Sequence, residues 1–261
     1  MVKLLVLDLD KTLVRDDGTI SKKDEESIKK CVDCNIIVSI ISGRNTESIE
    51  PVVKQLDLYG YKHIGVNGAI MIDYKEGCKE LVTIDNDVYA YLVKKFEKDN
   101  REFMPLNKDG YFYDKKGALY KDITTWIKED SLIKGDLKNL KNCYRISVRF
   151  EDEKDLDYLI SYLPSSMYGT VDRNVYDIRP TKVNKFTGLT VLMDYYGVSS
   201  NEVATIGDQD SDIELLQNTK YSFAVKNASD TAKNAAKFVL SKTNNENAVS
   251  EMIDILLSGC Y

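Results

Sequence analysis

The feature that most narrows the fold is a repeated alternation of short apolar runs with amphipathic stretches. Lys3 to Leu7 is an unbroken apolar run rich in branched residues, and it ends in an acid, Asp8. A run of that length without polar alternation suits a strand buried on both faces, as in a parallel sheet. From Ser21 a helical pattern runs to about Cys34, opened by Ser21 and Asp24 as a capping box, with Ile28, Cys31 and Val32 on one face. Ile36 to Ile41 is a second buried strand, closed by Ser42-Gly43-Arg44. Ile49, Val52, Val53 and Leu56 fall at helical spacing, and His63 to Val66 is a third strand, closed by Asn67-Gly68-Ala69.

The same alternation returns late in the chain. Asn184 to Gly197 is helical, with Leu189, Leu192, Met193 and Tyr196 on one face. Val203 to Ile206 is a strand ending in Gly207-Asp208, Ile213 to Leu216 is helical, and Tyr221 to Val225 is a strand. Strand, helix, strand in both halves implies one α/β core, a doubly wound, Rossmann-like parallel sheet, whose ligands sit at the carboxyl ends of the strands. Between the halves the pattern changes to a helix with Val88, Tyr91, Leu92 and Phe96. Tyrosine-rich strands follow around Tyr111 to Tyr113, then Cys143 to Phe150, a helix with Leu156, Leu159, Ile160 and Leu163, and Tyr176 to Ile178. With 261 residues and domains commonly about 100 to 150 long, the expected division is a core of 1–80 and 183–261 with an inserted α+β cap domain at 81–182.

Charge and composition exclude several functions. The 36 basic and 42 acidic residues leave a net charge of −6, so the surface repels polyanions and no nucleic-acid partner is expected. No apolar run approaches the ~20 residues that span a bilayer, and Asp8 and Asp10 interrupt the apolar N-terminus, so neither anchor nor signal peptide is expected and the expected location is cytoplasmic. Ser258-Gly259-Cys260-Tyr261 puts its cysteine in the wrong place for a prenylation box. Five scattered cysteines do not form a disulfide framework, and Cys31-x-x-Cys34 falls within a helical pattern rather than at a helix start after a strand. The one histidine, His63, precedes a short apolar run and reads as structural, so histidine-based triads and multi-histidine metal sites are not expected. Catalysis falls to carboxylates, lysines and hydroxyls.

Asp8-Leu-Asp10-Lys-Thr12-Leu13, at the end of the first strand, carries the strongest chemical signal. Two carboxylates two apart on an extended segment point the same way and repel, so burying them together calls for a cation or a shared proton, and Mg²⁺ takes carboxylate and carbonyl oxygens. A solvated strand end is the bland alternative. Against it stand the other strand ends. Gly207-Asp208-Gln209-Asp210-Ser211-Asp212 adds carboxylates that the sheet could bring to Asp8 and Asp10. Ser42 and Gly43 offer a hydroxyl and backbone N–H groups for phosphate oxygens, and Lys185 opens a helix as a point charge.

In this order the motifs resemble those of the haloacid dehalogenase superfamily, most closely its Cof-type phosphatases of subfamily IIB. Asp8-x-Asp10-x-Thr12 is similar to the first motif, Ser42-Gly43-Arg44 to the second, Lys185 to the third and Gly207-Asp208-x-x-Ser211-Asp212 to the fourth. Asn67-Gly68-Ala69 and Asn227-Ala228 are similar to further landmarks. About thirty residues between the first two motifs leave no room for a cap, whereas about 140 between Ser42 and Lys185 do. The resemblance implies an Mg²⁺-dependent phosphatase acting on a small phosphorylated metabolite such as a sugar phosphate. Asp8 would be the nucleophile and Asp10 the general acid and base. Ser42, Gly43, Lys185 and Ser211 would bind phosphate. The metal would be held by Asp8, the Asp10 carbonyl and Asp208, with Asp212 orienting water or Lys185. Lys11 stands where the family has glycine, Ser211 where it has asparagine and Phe186 where glycine is common. A phosphomutase of the phosphomannomutase type and a non-catalytic phospholigand sensor are the competing functions on the same chassis.

Overall fold

The structure is a computed structural model that describes residues 1–259. Cys260, the cysteine of the C-terminal reading, lies outside the described residues. The chain forms two compact units, one of Met1–Lys79 with the chain from Asn184 onward, the other of Glu80–Val183.

The first unit begins with β1 (Leu4–Leu7), α1 (Lys22–Asp33), β2 (Ile37–Ile40), α2 (Thr46–Gln55), β3 (His63–Gly65) and β4 (Ile70–Ile72), and the two-residue β5 (Lys79–Glu80) falls where the chain passes into the second unit. All four residues of β1 are fully buried, which is why the run lacks polar alternation. Ser21 caps α1, its Oγ accepting the Asp24 N–H at 2.9 Å. His63 is structural: fully buried, it accepts the Ile40 N–H at Nδ1 (3.1 Å) and meets the Leu58 carbonyl at Nε2 (3.2 Å), and burial lowers its pKa to about 4, so it stays neutral. Cys31 is a buried thiol, pushed up to about 12 by burial, and both it and the exposed Cys34 are free.

The second unit contains α3 (Asn86–Lys98), β6 (Phe103–Asn107), β7 (Gly110–Tyr113), α4 (Ala118–Ile123), β8 (Leu132–Lys134), β9 (Arg145–Arg149), α5 (Glu153–Ser161), β10 (Met167–Asp172) and β11 (Val175–Pro180). Its six strands form one sheet in the order β10-β11-β9-β6-β7-β8. Ile146, Val148, Tyr176 and Ile178 of that sheet pack with Leu92 and Phe96 of α3 and Leu159 of α5 in a core of its own.

The first unit resumes with α6 (Lys185–Tyr196), β12 (Val203–Gly207), α7 (Ile213–Gln217), β13 (Tyr221–Ala224), α8 (Asp230–Ala235), β14 (Phe238–Val239) and α9 (Ala248–Ser258). Its central sheet runs β14-β13-β12-β1-β2, every pair parallel, and Ile41 adds a parallel bridge to Ile64 of β3. Helices α1 and α9 pack together, as do α6 and α7. Among the described residues no helix is long and apolar enough to cross a membrane.

Candidate active site

Strand β1 lies between β2, reached by the early crossover, and β12, which arrives more than a hundred residues later. The connections therefore leave β1 in opposite directions, and a crevice opens outside its carboxyl end. Asp8 is the first residue beyond that end. Its carboxylate is buried: Oδ1 accepts from Lys185 Nζ at 2.6 Å and Oδ2 from Thr12 Oγ1 at 2.9 Å. Thr12 is brought back by a tight turn in which the N–H groups of Thr12, Leu13 and Val14 all donate to the Leu9 carbonyl. Its hydroxyl also lies 3.3 Å from Asp208 Oδ1, but a hydroxyl has one proton, and the shorter contact gives it to Asp8.

Lys185 occupies the first helical position of α6, which Asn184 and Thr187 cap reciprocally. Its Nζ donates at 2.7 Å to Asp212 Oδ1, and the other oxygen of Asp212 accepts the N–H groups of Asp208 and Gln209, each at 3.2 Å. This backward fold of Asp212 needs Gly207, because a Cβ there would lie 2.5 Å from the Asp212 carboxyl carbon. Oxygens of Asp8, Asp208 and Asp212 all come within 4.8 Å of one another.

Three buried carboxylates thus face one ammonium. Burial, against the pull of Lys185 and reinforced by Asp212 and Asp208, raises the Asp8 carboxyl well above the usual range. Burial and the Asp212 charge push Asp208 up to about 6. Burial works against the Lys185 ammonium, but Asp212 and Asp8 more than offset it, and its pKa is raised. The cluster carries more negative charge than its own cation neutralises, the condition that a hard divalent cation with oxygen ligands relieves.

The sequence expectation that Asp8 and Asp10 lie together is not what the structure places there. The strand stops at Leu7 and the turn onto buried Leu9 redirects the chain, so the Asp10 side chain is exposed and meets the guanidinium of Arg44, with Nε on Oδ2 at 3.0 Å and Nη2 on Oδ1. Ser42, buried at the end of β2, accepts the Arg44 N–H at its Oγ (3.2 Å), and its carbonyl accepts the Asn67 N–H (2.9 Å). A Cβ on Gly43 would stand 3.2 Å from the Asn67 carboxamide oxygen, so that loop sits close against Asn67. Ser211 lies exposed on the single turn Asp210–Asp212 and does not join the buried group. Thr12 and Arg44, quoted above only as motif members, prove to be the direct partners of the two aspartates. Lys11 adopts φ 58°, the left-handed region where glycine is at ease, and its carbonyl accepts Asn227 Nδ2 at 2.8 Å.

The sequence pattern of the haloacid dehalogenase-like hydrolases matches residues 5–253. The chain is 26% identical, over the whole of both chains, to the 5-amino-6-(5-phospho-D-ribitylamino)uracil phosphatase YwtE of Bacillus subtilis. It is 27% identical to phosphoglycolate phosphatase 1 of Saccharolobus solfataricus, covering 99% of this chain and 97% of that one. Its fold matches that of a haloacid dehalogenase-like hydrolase from Bacteroides thetaiotaomicron with a TM-score of 0.87 at 21% identity, covering 98% and 100% of the two chains. A Thermotoga maritima protein superposes with a TM-score of 0.88 at 24% identity over 97% of each chain. A match over nearly the whole chain and relatives that are phosphatases agree with the carboxylate and lysine cluster at the end of β1: the chain belongs to the haloacid dehalogenase-like hydrolase family, among its Cof-type phosphatases.

Proposed function

We propose that this phosphatase hydrolyses small phosphate monoesters with Mg²⁺ through a phosphoenzyme on Asp8. The observation that carries the reading is the buried group of Asp8, Asp208 and Asp212 around Lys185 and Thr12 at the switch point of the sheet. An Asp8 oxygen attacks phosphorus, the bond from phosphorus to the leaving oxygen breaks, and that oxygen takes a proton from Asp10. Water then attacks the phosphorus, gives its proton to Asp10, and the bond to Asp8 breaks to release inorganic phosphate. Reaching the leaving oxygen requires Asp10 to give up one or both bonds to Arg44, a rotamer change fast for an exposed side chain. Lys185, the Ser42 hydroxyl and the backbone N–H of Gly43 spread the charge of the transferring phosphoryl group.

Asp8, Asp208 and the Asp10 carbonyl would hold Mg²⁺, while Asp212, engaged with Lys185 and two backbone N–H groups, keeps the ammonium in place. The ion would supply charge neutralisation at Asp8 and at the phosphoryl group. The substrate is read as a small phosphorylated metabolite because the named relatives are phosphatases for a ribityl phosphate and for phosphoglycolate. Inorganic phosphate released to water without bisphosphate activation separates this reaction from a mutase.

A chelator is expected to abolish activity and Mg²⁺ to restore it, whereas Ca²⁺, which favours looser coordination with more ligands, supports little turnover. Full activity in excess chelator sinks the reading. A pH dependence accompanies it. Asp8 and Asp208 have raised folded-state pKa values, so without metal their contribution to stability is present below the ordinary carboxylate pKa and is lost as pH rises, for Asp208 through about 6. Mg²⁺ displaces those protons and binds the native state, so its thermal stabilisation is expected to be small near about pH 5 and large near about pH 7.5. A melting shift independent of pH in that window contradicts the site.

Asp10→Asn is expected to slow hydrolysis of alkyl phosphates by ~10²- to 10⁴-fold. With an aryl phosphate, whose leaving group needs little protonation, formation of the phosphoenzyme is less impaired and the intermediate accumulates. Equal loss on both substrate types, measured in a rapid-quench experiment, removes Asp10 from the acid role.

A further inference from the structure

Successive side chains of a strand point to opposite faces of its sheet. In the second unit, Ile146 and Val148 of β9 and Tyr176 and Ile178 of β11 face the core with α3 and α5. Arg145, Ser147, Asp177 and Arg179 therefore share the other face. Tyr111 of β7 and Tyr168 of β10 join them by direct contact. By the same alternation Arg149 also lies on this face, where it pairs with Asp122 and Glu151. Arg145 and Arg179 each have a phenol beside them: Arg145 is 5.4 Å from the Tyr111 ring centroid, and Arg179 is 4.9 Å from that of Tyr168.

The two arginines differ in how they are satisfied. Arg145 donates to the Tyr111 hydroxyl and pairs with Asp177 at 3.3 Å, and Ser147 takes the remaining oxygen of Asp177. Its Nε is buried without a hydrogen-bond partner. Arg179 is only 5% exposed, yet its one hydrogen bond runs from Nε to the Tyr168 hydroxyl at 2.8 Å. Among the described residues its two terminal nitrogens have no acceptor and its charge has no carboxylate partner. Asp177, two residues before Arg179 on β11, is already engaged at both oxygens. A nearly buried cation without a counterion is costly, and a planar fork held against a tyrosine ring has already lost most of its side-chain freedom.

We infer that the Arg179 fork on this face binds the paired oxygens of a carboxylate or phosphate, two acceptors that a guanidinium takes bidentately. Nothing in the chemistry at Asp8 uses these residues. The oxyanion has two sources, a second acidic group on the substrate or a separate small acid, and the test distinguishes them.

Full-length wild-type, Arg179→Gln and Arg179→Lys proteins are titrated with malonate. They are then assayed with phosphoglycolate, with hydroxyethyl phosphate as its alcohol counterpart, and with p-nitrophenyl phosphate, which has no second acid. Loss of a charge-assisted pair is expected to weaken binding about ten- to a hundredfold in the glutamine variant, with partial recovery in the lysine variant and unchanged turnover of p-nitrophenyl phosphate. If KM rises for phosphoglycolate but not for hydroxyethyl phosphate, the oxyanion belongs to the substrate. If malonate binding alone is lost, it belongs to a separate acid. If neither malonate affinity nor the preference for phosphoglycolate changes by more than about twofold, the inference is overturned.

Discussion

Asp8→Asn is expected to lower turnover by at least about 10⁴-fold, because a carboxamide is a poor nucleophile. The substitution nearly conserves volume; its carboxamide oxygen can accept from Lys185 while its NH2 donates to the Thr12 hydroxyl, whose proton turns to Asp208, so the fold is expected to survive. Removing one of three buried negative charges relieves repulsion with Asp208 and Asp212, while Lys185 keeps Asp212 as a partner. The variant is therefore expected to melt at or above the wild-type temperature without metal while being inactive with it. Acid-stable peptide mapping after borohydride trapping of the wild-type phosphoenzyme should place the label on Asp8. Label on another residue, or substantial turnover by the variant, refutes the assignment.

Lys185→Met carries the second large effect, and it acts on stability as well as on rate. The ammonium is buried between Asp8 and Asp212 at 2.6 and 2.7 Å, and deleting it leaves both carboxylates without their common cation. Breaking a buried pair by removing one partner typically costs about 3–5 kcal/mol. For a chain of this size that corresponds to a fall in Tm of very roughly 6–20 °C. Loss of one donor to the transferring phosphoryl group is expected to cost a further ~10²- to 10³-fold in kcat. The stability loss has a sign in pH: the unpaired carboxylates can be neutralised by protons, so the gap from wild type should narrow as pH falls from about 7 toward about 5. A gap that stays constant across that range would falsify the claim that Lys185 acts chiefly as counter-ion to Asp8 and Asp212.

The two substitutions separate what the cluster does. Asparagine at position 8 removes the reacting atom and lessens the excess of negative charge, whereas methionine at position 185 increases that excess and spares the reacting atom. An inactive but stable first variant alongside an unstable second one is the pattern that the geometry implies.

The core was legible in the sequence because it is built from local signals. Leu4–Leu7, Ile37–Ile40 and Val203–Gly207 are short, largely apolar runs, and a strand covered on both faces needs nothing else to announce itself. Ser21 and Asn184 mark helix starts with caps that require only neighbours three residues away. Strands of the second unit were harder to see. β6 contains Pro105, which argues against an interior strand, yet it lies between β9 and β7, and its ladder to β7 takes up only from Leu106. β10 is an edge strand whose last three residues are exposed, so no burial pattern marks it.

At the site, the residue types and their positions follow from sequence alone, since acids placed where parallel strands end and a lysine that opens a helix together point to a phosphate and cation site. Which of them meet was decided by the tertiary structure. Lys185 reaches Asp8 across 177 residues of chain, a pairing that depends on the order of strands rather than on any local period. Asp10, only two residues from Asp8, goes the other way to Arg44, because side-chain alternation holds only while the strand lasts, and β1 ends one residue before Asp8. The turn onto Leu9, the absence of a Cβ at Gly207 and the reach of Thr12 then fix which carboxylates are buried together and which one stays exposed to solvent.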